Sequence, residues 1–181
     1  MHIPGVGARD TVVLVDPAGA VLGQAPKLAA HQAPGHLHLA FSVVLYDADG
    51  GVLLQQRAAD KYHFPLYWAN ACCSHPGPGE DIAESAERRV HEELGLTAAL
   101  SFAGTFVYRA TDPGSGLVEH ELDHVFVGRL EELPLAPDPE EIAELRFVAP
   151  AAISEETLGA PLAPWLVRAL GLALAALSPG S

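Results

Sequence analysis

The stretch Asn70–Leu96, NACCSHPGPGEDIAESAERRVHEELGL, admits few local structures. Ile82, Ala86, Val90 and Leu94 recur every four residues, the apolar stripe of a helix laid on a sheet. Gly95 supplies the helix stop. Glu80 puts a carboxylate near the N-terminus, where the helix dipole favours negative charge. A Pro/Gly turn separates this helix from Cys72-Cys73-Ser74-His75. Arg89 and Glu93 stand one turn apart, so a cation and a carboxylate can meet one ligand, a pairing that suits a divalent metal bridged to phosphate oxygens. The chain must carry this helix against a sheet, with a thiol and an imidazole leading into it.

The flanking sequence supplies the sheet. Thr11–Asp16 reads as a strand, Ala20–Gly23 as a second, and Lys27–Ala30 as the lead into a loop. His38 opens a long strand over Leu39–Tyr46, in which Ala40, Ser42 and Val44 alternate with Leu39, Phe41 and Val43. Asp47–Gly51 is a hairpin turn and Val52–Arg57 the returning strand. Lys61–Trp68 is an aromatic, proline-containing connection. Beyond the helix, strands over Leu100–Thr111 and Leu117–Leu130 flank a loop at Asp112–Gly116, and Leu133–Pro139 is a proline-rich connection. Glu144–Val148 is a last strand, followed by one or two helices in Ile153–Leu177 around Trp165. This order predicts an α/β sandwich around a mixed sheet. The chain reads as one domain over residues 1–181, with strands and a histidine-bearing loop at 10–36, a core at about 37–150 and C-terminal helices at 151–178.

Charge and composition narrow the partners. A net charge of −13 with only two lysines, Lys27 and Lys61, argues against a nucleic-acid backbone or an anionic membrane as partner. The N-terminus lacks a charged-then-apolar export pattern, and the longest apolar run, Ala169–Leu177, falls short of the roughly 20 residues that span a bilayer. Two adjacent cysteines form no disulfide framework, which suits a reduced, cytoplasmic protein.

Three groups could carry chemistry. His31, His38 and His75, from separate segments, and Glu119 with Glu121, on one strand face, suit a borderline divalent ion such as Mn²⁺ or Zn²⁺. By spacing alone no pair is a recognised metal motif. Nine histidines, with His2, His36, His63, His91, His120 and His124 unassigned, make chance clusters easy, so surface histidines and a solvated Glu-x-Glu are the favoured reading at this point. Cys73 and His75 share a strand face while Cys72 points away. A cysteine there is either a small core side chain or a proton donor or nucleophile beside an imidazole. Lys27, Arg57, Lys61 and Arg89 would reverse the local charge and suit a diphosphate, or each pairs singly at the surface. Trp68, Trp165, Tyr108 and Phe41 are core aromatics or faces for a carbocation.

Aligned on Glu92-Glu93-Leu94-Gly95-Leu96, the central stretch resembles a Nudix box, with its arginine at Arg88 and its first glutamate at Glu80. It departs from the pattern at Ser74, where the box opens on glycine, and at Arg89, where the box has a glutamate that helps hold the water-activating metal. In order, AAHQAPGHLHLAFS, LLQQR, WANACCSHP, RRVHEELG, YRATD and VEHELDHVF, with Pro164-Trp165 further on, resemble the type 1 isopentenyl diphosphate isomerase family of that superfamily. The resemblance runs from about Lys27 to Val127 and implies a Nudix-type α/β/α sandwich with an N-terminal extension and a C-terminal helical lid. It also implies interconversion of isopentenyl and dimethylallyl diphosphate, by proton addition and removal on opposite faces of the alkene.

Carried over by position, Cys73 is the catalytic cysteine and Glu121 the opposing acid/base, with Tyr108 beside Glu121 and Trp165 facing the cationic carbon. His31, His38, His75, Glu119 and Glu121 would ligate Mn²⁺ or Zn²⁺, and Glu93 with the Cys73 carbonyl would hold Mg²⁺ against the diphosphate. Lys27, Arg57, Lys61 and Arg89 match diphosphate contacts. The expected partner is a C5 prenyl diphosphate, the expected assembly a monomer or weak homodimer. A Nudix hydrolase of a nucleoside or prenyl diphosphate is the alternative, but it leaves Cys73 and the histidines without a role and meets Arg89 where it keeps glutamate. A non-catalytic binding domain would make the Cys–His–Glu set a coincidence.

Overall fold

A computed structural model of the chain describes residues 10–131 and 135–178. His2 and the start of the expected Leu133–Pro139 connection lie outside them. In chain order the strands are β1 (Thr11–Val15), β2 (Val21–Pro26), β3 (His38–Tyr46), β4 (Val52–Arg57), β5 (Trp68–Asn70), β6 (Cys72–Ser74), β7 (Ser101–Thr111), β8 (Val118–Arg129) and β9 (Ile142–Val148). The helices are α1 (Lys27–His31), α2 (Ile82–Leu94), α3 (Glu155–Leu158) and α4 (Leu166–Leu177). All nine strands join one mixed sheet.

β3 organises it. Its side chains are mostly apolar and buried on both faces, as suits a strand covered on both sides. It pairs in parallel with β8 along its whole length, from His38 opposite Glu121 to Tyr46 opposite Arg129. It pairs antiparallel with β6, placing Ser42 opposite Cys73. The expected turn at Asp47–Gly51 and returning strand β4 are both present. Asp47 closes the turn by accepting from the Asp49 and Gly51 amides at 2.9 and 2.8 Å, but the strands pair only at Tyr46 and Val52. Beyond that point β4 pairs with β5 and β9. Lys27–His31, which lead into the expected loop before β3, form the short helix α1. Pro26 precedes four residues with fair to high helix propensity, which explains the turn.

Helices cover both faces. Val90 and Leu94 of α2 pack with Phe41, Val43 and Leu45. On the other face, Ala169, Leu170 and Ala173 of α4 pack with Val44, Val125 and Val127. Asp81 caps α2 by accepting from the Glu84 amide, and Gly95 ends it in the left-handed conformation at φ 68°. The loop between α1 and β3 lies close on β8. At Gly35, whose φ is +84°, a Cβ would sit 2.5 Å from Val118 Cγ1, so only glycine fits. That approach brings His31 and His38 to the carboxylates of β8.

Candidate active site

Glu119, Glu121 and Asp123 alternate along β8 on the face that continues into Val125 and Val127, so three carboxylates point to the α4 side. All three are buried. On β7, Tyr108 stands opposite Glu121 and donates to its Oε2 at 2.5 Å. His31 Nε2 lies 3.0 Å from Glu119 Oε2, His75 Nε2 2.8 Å from Glu121 Oε1, and His38 Nε2 3.5 Å from the same oxygen. One donor atom from each of His31, His38, His75, Glu119 and Glu121 falls within 4.8 Å of the others.

Two features of this group fit a divalent metal. His31 Nδ1 faces the Lys27 carbonyl at 2.6 Å and His38 Nδ1 the His36 carbonyl at 2.8 Å, so each protonated Nδ1 leaves Nε2 as a lone-pair donor. His38 Nε2 is buried and has no hydrogen-bond partner, a cost that a metal ion removes. Electrostatics agree. Burial pushes the Glu119 carboxyl up, but the adjoining imidazoles of His31 and His63 hold it well below the usual range. Burial keeps His75 neutral, the form that ligates.

The thiol lies nearby. Cys73 faces the α4 side, whereas Cys72 packs into the opposite core. Cys73 Sγ is 3.0 Å from Asn70 Oδ1, 3.1 Å from Trp165 Nε1 and 3.9 Å from Ser42 Oγ. Burial pushes its pKa up, and the negative charge of Asp123 adds to the rise. Trp165, at the head of α4, is itself buried against Tyr108 and Phe64.

Cys73, His75, Tyr108, Glu119, Glu121 and Trp165 line a cavity of about 60 Å³ together with Lys27, Arg57, Lys61 and Arg89. His31 and His38 complete the metal-ligating group behind it. Glu93 is placed differently, buried beneath Arg89, which pairs with Glu92 at 2.8 Å and with Glu93 itself. Burial raises the Glu93 pKa, while Arg89 works against that rise. Lys27 is pushed below the ordinary lysine range by burial and then by the charge of Lys61.

Sequence reasoning passed over five residues here. His63 contacts Glu119 through Nε2 and lies 3.5 Å from Arg57. Glu141 pairs with Lys61 and reaches Arg89 at 3.5 Å. Asn70, Ser42 and Asp123 surround Cys73, with Ser42 donating to Asp123 at 2.7 Å. Of these, His63 alone carried a signal, as one of the unassigned histidines.

Comparison with known proteins gives a consistent picture. The NUDIX domain family matches residues 36–169. The isopentenyl-diphosphate Delta-isomerase of Nocardia farcinica is 52% identical over 167 residues, covering 91% of this chain and 95% of that protein. The enzyme of the same name from Streptomyces griseus is 49% identical over 175 residues, covering 95% and 88%. Among solved structures, a protein of Deinococcus radiodurans superposes with a TM-score of 0.71 at 16% identity, over 90% of this chain and 98% of its own. The MutT protein of Methanosarcina mazei gives 0.60 at 19% identity, over 78% and 96%. These two likenesses speak for the fold alone.

Proposed function

Because this chain belongs to the NUDIX family and, within it, to the isopentenyl-diphosphate Delta-isomerases, we propose that it interconverts isopentenyl and dimethylallyl diphosphate by protonation and deprotonation through a tertiary carbocation. One observation carries the reading: a half-buried thiol, Cys73, and a tyrosine-bonded carboxylate, Glu121, line one small cavity together with four cations. An unactivated alkene is a poor base, so it needs a positioned acid and a stabilised cation. Cys73 and Glu121 are the acid/base pair, with Tyr108 holding the second Glu121 oxygen. The faces of Trp165 and Tyr108 stabilise the cation, by about 2 kcal/mol in a dry site. Water would capture that cation as an alcohol, and the buried Trp165 and α4 keep it out. Lys27, Arg57, Lys61 and Arg89 hold the diphosphate.

His31, His38, His75, Glu119 and Glu121 are the residues that would hold Mn²⁺ or Zn²⁺, and Glu93 with the Cys73 carbonyl those that would hold Mg²⁺. When bound, the first ion would supply positive charge beside Glu121 and the second would offset the charge of the diphosphate. The chain acts as one domain over 1–181, with its core at about 37–150, a metal loop within 10–36 and a helical lid at 151–178. It works in the cytoplasm, in isoprenoid biosynthesis, as a monomer or weak homodimer without nucleic-acid or membrane partners. No described helix is long and apolar enough to cross a membrane.

The hydrolase alternative is disfavoured by Arg89, a cation standing where the box has a glutamate that helps hold the water-activating metal. The test is NMR of the protein with isopentenyl diphosphate and Mg²⁺ in D₂O. Deuterium entering dimethylallyl diphosphate, and absent with Cys73→Ala, supports the isomerase. Released phosphate with an unlabelled prenyl chain overturns it.

A further inference from the structure

We propose that Asn70 is a positioning residue for this reaction, whose side-chain carbonyl aims the Cys73 S–H bond and sets the Trp165 indole. The proposal rests on the isomerase reading above, in which Cys73 exchanges a proton with the substrate.

Asn70 is fully buried at the end of β5. Its Nδ2 donates to the Val43 carbonyl at 3.0 Å and to the Cys72 carbonyl at 2.9 Å. Both amide hydrogens are thereby used, and they identify which end of the side chain is oxygen. Oδ1 is left facing the site. There it accepts the Cys73 S–H at 3.0 Å and the Trp165 N–H at 3.1 Å. The indole has one N–H, and Cys73 Sγ lies 3.1 Å from it as well, so that hydrogen is shared between Asn70 and the thiol.

This arrangement provides a partner for sulfur in each of its two states. In the thiol state the S–H points at Asn70 Oδ1, an acceptor that does not take the proton away. When Sγ protonates the alkene, the S–H bond breaks, the π pair forms the new C–H bond, and sulfur keeps its electron pair as thiolate. The indole N–H then has a charged acceptor and turns to it. In the reverse sense the C–H bond breaks, its pair becomes the new π bond, and sulfur regains the hydrogen and directs it at Asn70. A cysteine side chain has three staggered rotamers, and two fixed partners select one. The Nδ2 contacts alone tie β5 to β3 and β6. A purely structural asparagine would not need its oxygen on the thiol.

The test uses the full chain loaded with metal. Asn70→Ala is expected to lower kcat about 100-fold, the cost of misplacing a reacting group by about 1 Å, with KM for isopentenyl diphosphate unchanged. A raised KM at unchanged kcat places Asn70 with the diphosphate and overturns the proposal. Should Asn70→Ala fail to fold, the infrared S–H stretch of an otherwise native protein still decides. Cys72→Ala leaves the Cys73 band alone, and that band is expected at the lowered frequency of a hydrogen-bonded thiol. A free-thiol band in active protein overturns the proposal alone. A wild-type protein without isomerase activity overturns the function on which it rests, and the proposal with it.

Discussion

Tyr108 donates its phenolic hydrogen to Glu121 at 2.5 Å across the β7–β8 pair, with both groups buried. A hydrogen bond to a charged group contributes about 2 kcal/mol, here to a carboxylate that also faces His75 and His38. Tyr108→Phe keeps the ring against Trp165 and removes only this bond. The expected result is a fall in kcat of about 30-fold, since each 1.4 kcal/mol is a factor of ten, measured by steady-state isomerisation. Wild-type kcat in a folded variant would remove Tyr108 from the mechanism.

The metal-ligating group predicts a metal-dependent stability. Five donors, four of them on buried residues, gather within 4.8 Å, and His38 Nε2 has no hydrogen-bond partner. Ligand binding to the native state alone stabilises by about 2.7 kcal/mol at a hundredfold excess over Kd. Thermal unfolding after chelation should show a lower Tm than the protein as purified, restored by Mn²⁺ or Zn²⁺. His38→Ala should abolish the restoration. A Tm indifferent to chelator and added metal would count against the site.

How far the sequence reached can be judged residue by residue. The i, i+2 pairs Cys73/His75 and Glu119/Glu121 were legible because strand period is local, and the α2 stripe because helix period is local. The β3–β8 register, which sets His38 opposite Glu121, joins segments far apart in the chain, and nothing local announces it. The same holds for Ser42 opposite Cys73. His63 was hidden for another reason. It precedes Phe64 and Leu66, non-glycine residues at φ 46° and 63°, so an unusual backbone path carries it to Glu119. The turn at Asp47–Gly51 and the returning strand β4 were legible from the local sequence, but that β3 then pairs with β8 and β4 with β9 was not, because those partners lie far apart in the chain.

Arg89 is a counter-charge for the carboxylates around the site. Its guanidinium pairs with Glu92 and Glu93 and lies 3.5 Å from Glu141. Removing one partner of a largely buried pair costs about 3 kcal/mol or more. Arg89→Glu, which restores the hydrolase-box residue, adds a carboxylate to three. It is expected to lower stability by at least that amount in urea unfolding, and to produce no phosphate release. Retained stability with gained hydrolysis would show that Arg89 alone separates this chain from the hydrolases.

Asp112 gives the clearest pH dependence away from the metal group. Its carboxylate closes the β7–β8 loop, accepting from the Ser115 amide at 3.0 Å and the Ser115 hydroxyl at 2.6 Å. Burial pushes its pKa up, but the hydrogen bonds from Ser115 and then from Gly114 outweigh it, so the folded value lies below the ordinary one. The sign follows. A depressed carboxyl pKa supplies stability that is present above the unfolded value of about 3.9 and lost as pH falls through the folded value. Asp112→Asn should therefore be less stable than the parent by about 1–2 kcal/mol at neutral pH. The gap should close as the parent's Asp112 becomes protonated in strong acid. Denaturant midpoints for both proteins across that range provide the check, and a gap that stays constant with pH would mean that the charge of Asp112 does not hold the loop.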